Sequence, residues 1–351
     1  MASSTIETTS KPAAATQAMV AVRSFPQLDR HTRLPSNTWR ALYARATNNS
    51  LSFKFLNRRY IQAIGHMAAP DLTAAGERVA SDLSANGIAF AEFSEFFESR
   101  FFETIRACFE EYLDEFNRVK TKAPKGKEVF LDTIHKAHTF VPDDPVSTYL
   151  AAPVFAATSA RYMGMVPRFV GSSFWRTRVA TGDERLYSQQ WHRDYNDRML
   201  VKVFLYLTDV GEDEGYFEYL AGSHGGGPLG GTYDRIGPDG FRAYPDASRL
   251  DPYVATLPVI SLDTVPTDRR AGTAAPWNGE PSVIRCLAPR ATLIFADTFG
   301  LHRGGYVRSG HRDMIMTTYS TNFNVHKPHF VVTEQFAQSL GPFMRMSFGL
   351  L

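Results

Sequence analysis

The chain has 351 residues, 44 % of them hydrophobic and 21 % charged, with a formal net charge of +2. That balance excludes a mostly disordered chain, a collagen and a coiled coil. With no Lys/Arg run longer than two, it also gives no electrostatic case for nucleic-acid binding.

Residues 1 to 30 are small, polar and aperiodic, which predicts a disordered N-terminal arm. The arm lacks an apolar segment of secretory type. Residues 31–165 are expected to form a largely helical support. The first clear helix starts after Asp71, with Leu72, Val79 and Leu83 at helical spacing and Asn86-Gly87 as its stop. GIAFAEF (87–93) reads as a short strand. A second helix covers about 95–119, with Phe101, Ile105, Phe109, Tyr112 and Phe116 forming a core stripe at spacings of three and four.

From about 166 to 330 the pattern changes to short strands separated by turns. RFVGSSFWRTRVA, MLVKVFLYLTDV, YFEYLAGSH, PSVIRCL, ATLIFADTF and RDMIMTTYST are the predicted strands, with Val201, Val203, Leu205 and Leu207 on one face of the second. Such a series predicts a double-stranded β-helix, the jelly-roll or cupin-like barrel, in one domain with its helical support. The Gly-rich stretch 225–281 reads as a lid-like insertion, since long loops without regular structure commonly cover sites. Residues 331–351 read as a C-terminal tail.

Chemistry concentrates in two segments. In His192-Arg193-Asp194 the first and third side chains of a strand share a face, so an imidazole and a carboxylate can meet one metal. Downstream, DTFGLHRGG places His302 after an apolar strand in a Gly-rich loop. Two His and one carboxylate are the facial set for non-heme Fe(II), which leaves coordination positions open. Ten residues after His302, Arg312 opens the last apolar strand, a rigid platform for a guanidinium that forks onto a carboxylate. Arg303 neighbours His302 and should face away. Arg308 lies between glycines, and Arg285 stands mid-strand.

Other residues have plainer readings. Gln190 shares the ligand face and is expected near the metal. Lys202 shares a face with Phe204 and Tyr206 and reads as a contact to a bound acid or as a solvent-facing lysine. His224 reads as a turn residue, and His311 as solvated. His135, Lys136 and His138 lie upstream of the barrel, with a possible pocket role. Arg176 and Arg178 share one face of their strand and read either as contacts to an anionic substrate or, more simply, as partners of Glu212-Asp213-Glu214.

SQQWHRDYNDRMLVKVFLYLTDV, the EYLAGSH turn and FADTFGLHRGGYVRSGHRD resemble the phytanoyl-CoA dioxygenase-like family of Fe(II)/2-oxoglutarate-dependent dioxygenases, over roughly residues 75–325. The resemblance implies His192, Asp194 and His302 as iron ligands. It implies Arg312 as the partner of the 2-oxoglutarate distal carboxylate, with Gln190 and Lys202 as further cofactor contacts. It further implies O2 as co-reactant and oxidation of an unactivated C–H of a small organic molecule, most simply hydroxylation, with release of succinate and CO2. Gly304 departs from the family, where a hydroxyl residue often sits two positions after the second His. The alternatives on the same barrel are a non-oxidative metal-binding protein of cupin type and a metal-dependent isomerase or hydrolase. Two cysteines without a C-x-x-C spacing give neither a disulfide scaffold nor a zinc site, so a reducing cytoplasmic compartment is expected. No apolar stretch of about 18 residues suggests a membrane span.

Overall fold

The computed structural model describes residues 19–20, 51–52, 54–58, 69–120, 125–179, 185–194, 197–230, 242–243, 247–265, 280–322, 324 and 328–350. In chain order, β1 is Met19–Val20, α1 Ala74–Asn86, β2 Ile88–Glu92, α2 Ser99–Val119, β3 Leu131–Lys136 and β4 Thr139–Phe140. Then follow α3 Pro145–Leu150, α4 Pro153–Met163, β5 Arg168–Arg178, β6 Arg193–Asp194, β7 Leu200–Tyr206 and β8 Phe217–Ala221. The remainder is β9 Arg242–Ala243, α5 Ala247–Val254, β10 Val259–Ser261, β11 Ser282–Cys286, β12 Thr292–Asp297, β13 His302–Arg303, β14 His311–Ser320, β15 Val331–Thr333, α6 Glu334–Ser339 and α7 Pro342–Ser347.

Local chemistry sets the entry to the barrel. The Thr73 hydroxyl accepts the Gly76 N–H and caps α1, and Gly87 ends the helix in the left-handed region at φ 79°. A Cβ at Gly87 would sit 2.3 Å from the Tyr219 hydroxyl, so glycine serves both the turn and the close approach. The chain then enters β2, the edge of a six-stranded sheet ordered β2-β12-β7-β14-β5-β3. A smaller sheet, β10-β11-β8-β13, faces it, and the pair forms the jelly roll.

The alternation of β7 divides the interior into two cores. Val201, Val203, Leu205 and Leu207 face the helical layer with Ile105, Phe109 and Phe155. Phe204 and Tyr206 face the smaller sheet with Phe217, Tyr219 and Ile284. The first face is dry and aliphatic because helices cover it; the second carries polar side chains where it borders a cavity.

The structure corrects several boundaries. The helical support also supplies strands: β2 and β3 form both edges of the main sheet. β3 was not legible because a bulge between Thr133 and His135 breaks its alternation. The C-terminal segment is no loose tail. Phe336, Phe343 and Phe348 are buried in the helical-side core, and β15 pairs with β4. Within the N-terminal arm, Met19–Val20 pairs antiparallel with β15; the rest of residues 1–30 lies outside the described residues. The 225–281 insertion holds α5, with Leu250 buried, and β10, which adds in parallel to β11. β10 joins the sheet edge, and residues 231–241, 244–246 and 266–279 lie outside the described residues. Arg176 pairs with Asp313 and Arg178 with Asp132, not with residues 212–214. Asp313 stands directly opposite Arg176 in register, and Asp132 lies on the neighbouring β3, diagonal to Arg178.

Candidate metal centre

His192 and His302 lie opposite each other in an antiparallel bridge, exchanging N–H to C=O bonds of 2.9 and 3.0 Å. The Asp194 N–H donates to the Thr298 carbonyl at 2.8 Å. The two distant segments are thus zipped together by backbone, and their alternation turns all three side chains to one side. His192, Asp194 and His302 are 3 %, 5 % and 4 % exposed, and one ligand atom from each lies within 4.8 Å of the others. Among the described residues they form the one cluster of this type.

The donor set fits a divalent metal. His192 Nδ1 meets the Gln190 carbonyl and His302 Nδ1 the Gly300 carbonyl, both at 2.9 Å. A carbonyl only accepts, so each Nδ1 carries the proton and each Nε2 offers a lone pair. Nε2 of His192 stands 4.0 Å from Asp194 Oδ1, and Nε2 of His302 3.7 Å from Oδ2. These separations are too long for hydrogen bonds and suit donors that share one cation at about 2.0–2.2 Å each. Arg193 projects to the opposite side, is fully buried, and donates to the carbonyls of Ser223 and Phe299 at 2.6 Å and of Leu229 at 3.2 Å. It ties the loop after β8 to the segment that leads into His302.

The ligand face opens on a cavity of about 270 Å³. Arg312 reaches into it and is 3 % exposed. It donates to the Gly215 carbonyl, stands 3.4 Å from the Thr177 hydroxyl and lies over the Tyr206 ring at 6.0 Å. Its Nε has no hydrogen-bond partner, and among the described residues no carboxylate pairs with it. A buried guanidinium with a free donor is costly unless an acid group joins it. Lys202 also lines the cavity and donates to Asp194 Oδ2 at 2.5 Å. Its solvent-facing reading therefore fails. A second cleft of about 360 Å³ runs along the β2 edge between Phe90, Glu103 and Arg290, but it is lined by no His and no metal-ligand cluster.

Gln190 is a correction. Its amide donates outward to the Arg185 carbonyl at 3.2 Å and lines a separate outer groove. Residues Tyr187–Gln189 form a single 3-10 turn with Tyr187 at φ 50°, so strand alternation does not extend back from His192. Gln189 lines the cavity instead and is 1 % exposed, a placement that pattern reading had no means to detect.

The remaining candidates sort clearly. Arg303 faces away, bonded to Glu218 and stacked over Trp191 at 4.6 Å. Arg308 is exposed beside Asp213, and Arg285 leans toward Glu218. His224 reaches from the turn after β8 to the Ser84 carbonyl on α1 at 3.1 Å, and His311 lies half-exposed, 3.4 Å from Asp313 Oδ2. Lys136 lines the cavity rim. His135 does not: it stacks on Tyr112 at 4.1 Å and stands 3.2 Å from His138, which meets Ser147 and Asp144.

Desolvation, reinforced by the neighbouring His138, lowers the His135 pKa to about 4. A lowered imidazole pKa means the unfolded chain binds the proton first. Stability is then full above about 6.5 and declines as pH falls toward 4. The stabilising effect of His135→Phe relative to wild type, read as a urea midpoint, is therefore expected to grow between pH 7 and pH 5. A difference between variant and wild type that is the same at pH 7 and pH 5 would show that His135 does not carry this pH dependence.

Gly305 carries a second local constraint. A Cβ there would sit 2.2 Å from the Tyr216 carbonyl oxygen and 2.3 Å from the Gly215 carbonyl carbon. Gly305→Ala is expected to cost roughly 1–3 kcal/mol by overpacking and to move the Gly215 carbonyl away from Arg312. Chemical denaturation measures the first effect, and a variant as stable as wild type would contradict it.

No family model matches the chain, and no curated protein matches it. Among solved structures it resembles EctD from S. alaskensis with bound Fe, at 14 % identity over 76 % of this chain and 84 % of that chain, TM-score 0.49. It also resembles the epimerase SnoN in complex with Fe3+, alpha ketoglutarate and nogalamycin RO (14 % identity, 71 % of this chain and 84 % of that chain, TM-score 0.44). A third is the alpha ketoglutarate dependent carbocyclase SnoK (14 % identity, 73 % and 86 %, TM-score 0.45).

Proposed function

We propose that this chain is an Fe(II)/2-oxoglutarate-dependent oxygenase of the phytanoyl-CoA dioxygenase-like type, acting on an unactivated C–H of a small organic molecule. The observation that carries the reading is one cavity with a His-Asp-His cluster and, apart from it, a buried arginine whose Nε lacks a partner. His192 Nε2, His302 Nε2 and an Asp194 oxygen would hold the metal on one face, which leaves the cavity side for ligands. Bound iron would supply oxidation by O2 coupled to decarboxylation, so that substrate C–H, 2-oxoglutarate and O2 become the alcohol, succinate and CO2.

The protein's own part is binding and orientation. Arg312 would fork onto the distal carboxylate of 2-oxoglutarate, held in place by Gly215 and Thr177. Phe204, Phe217 and Met314 line the cavity and keep water from the reacting carbon. Lys202 would remain beside Asp194 and neutralise acid groups around the metal. Because Asp194 supplies a carboxylate ligand, chloride has no vacated position, and hydroxylation is favoured over halogenation.

A non-oxidative cupin needs no arginine across from its metal, and a buried Arg312 that lines the metal cavity with no carboxylate partner among the described residues speaks against that alternative. The test is aerobic incubation of Fe(II)-loaded protein with 2-oxoglutarate, scored as succinate. Slow release without substrate, dependent on iron and abolished by His302→Ala, is the expected result. No iron-dependent succinate with any of a broad set of small molecules would count against the reading.

A further inference from the structure

We infer that Glu218 is a positioning residue for the metal centre, acting from the outer face of the small sheet through arginines on both ligand-bearing segments. This rests on the metal site of the proposed function. β13, which carries His302, is only two residues long. It pairs with β8 at His302–Tyr219 and Arg303–Glu218, and with the other ligand segment by the single bridge to His192. The two residues that follow, Gly304 and Gly305, have no side chains, so Arg303 is what remains to anchor the end of the strand. Over so short a ladder the cross-strand side-chain pairs carry much of the orientation.

Alternation along β8 sends Phe217 and Tyr219 into the inner core and Glu218 to the outer face. There Glu218, 1 % exposed, lies in one row with Arg303 on one side and Arg285 on the other. Arg303 Nε donates to Glu218 Oε2 at 2.5 Å, and the same guanidinium covers the Trp191 ring at 4.6 Å. A planar guanidinium can stack on a ring and bond an acid at once, which an ammonium cannot. Because His192 faces His302 in an antiparallel bridge, Trp191 and Arg303 form the next cross-strand pair, on the opposite face. That outer pair sets the spacing of the two segments whose inner pair is the two imidazoles. Arg185 makes the second link. Its guanidinium stands 3.8 Å from Glu218 Oε2 and donates to the Gln189 carbonyl at 3.4 Å, in the 3-10 turn that leads into His192. One buried carboxylate thus holds both the segment before His192 and the strand of His302. Arg285 Nε also stands 3.7 Å from Glu218 Oε1, but its strand, β11, carries no ligand.

Mn(II) calorimetry and the visible spectrum of the Co(II)-loaded protein test this without turnover. The Co(II) bands report ligand geometry, which a loss of stability alone does not alter. Arg303→Met is expected to weaken Mn(II) by about tenfold or more, as for other groups that orient metal ligands, and to shift the Co(II) bands. Arg303→Lys should recover part of the affinity, since it keeps the charge and loses the planar stack. Glu218→Gln keeps the shape, removes the charge and should act in the same direction as Arg303→Met. Arg285→Met is the internal control: it takes an arginine from the same carboxylate on a strand without a ligand, and should leave affinity and spectrum at wild-type values. Arg185, 35 % exposed in its side chain, keeps the test valid where the buried variants do not fold, and Arg185→Met should give a smaller loss in the same direction. Wild-type affinity and spectrum in either Glu218→Gln or Arg303→Met, or in Arg185→Met where neither folds, would overturn the inference. So would an Arg285→Met loss equal to that of Arg303→Met. A wild-type protein that takes up no Mn(II) or Co(II) defeats the proposed function, whereas normal uptake with indifferent variants defeats the positioning role alone.

Discussion

Replacing His192 or His302 with alanine is expected to abolish stoichiometric metal binding while the fold persists. Each imidazole gives one of three inward lone pairs, and its Nδ1 contact to a backbone carbonyl serves orientation more than stability. Loss of a partner outside the ligand set already costs about 10–100-fold in metal affinity, so loss of a ligand should exceed that. The backbone bridge between the two segments uses N–H and C=O groups that alanine retains. Near-native circular dichroism with no bound Mn(II) or Fe(II) is the expected pair of results. Asp194→Ala should behave similarly toward metal, but it also strips Lys202 of its carboxylate partner. A histidine variant that binds one metal per chain with wild-type affinity would remove the cluster from the account.

Arg312→Ala is expected to weaken 2-oxoglutarate by about 30-fold or more at unchanged metal affinity. Truncating one partner of a buried charged pair costs roughly 2–5 kcal/mol, and about 1.4 kcal/mol is tenfold in affinity. Arg312→Lys should recover only part of the loss, since an ammonium cannot fork. Arg308→Ala is the matched control. Arg308 is exposed beside Asp213 at 3.6 Å, and its removal should leave 2-oxoglutarate binding intact. Titration of 2-oxoglutarate into each Mn(II)-loaded variant gives the comparison. A silent Arg312→Ala together with a weakened Arg308→Ala would mean that a different arginine holds the acid.

The legibility of this protein in its sequence followed the regularity of its backbone. β7 was readable to its faces, because Val201, Val203, Leu205 and Leu207 alternate without interruption and pack on helices. The three ligand-type residues were readable because an i, i+2 pair on a strand and a histidine after an apolar strand depend only on local geometry. Gln190 was misplaced by one residue because the 3-10 turn at Tyr187–Gln189 ends the alternation that the inference assumed. β3 was hidden by its bulge and by the polar side chains it presents to the cavity, Thr133 and Lys136. Strand alternation places Arg193 opposite the ligand face and says nothing of its partners. Its role as a buried clamp on three carbonyls depends on Ser223, Leu229 and Phe299, which no local pattern brings together.

The central claim is that one cavity joins a metal held by His192, Asp194 and His302 to an acid group held by Arg312. A calorimetric titration of 2-oxoglutarate into the protein with and without Mn(II) tests that coupling most directly. Ligand that binds through the metal must bind more tightly when the metal is present, and the metal must in turn bind more tightly with 2-oxoglutarate. The expected result is saturable binding of one equivalent with Mn(II), weakened at least tenfold without it. Equal affinity with and without Mn(II), or no binding in either state, would contradict the account.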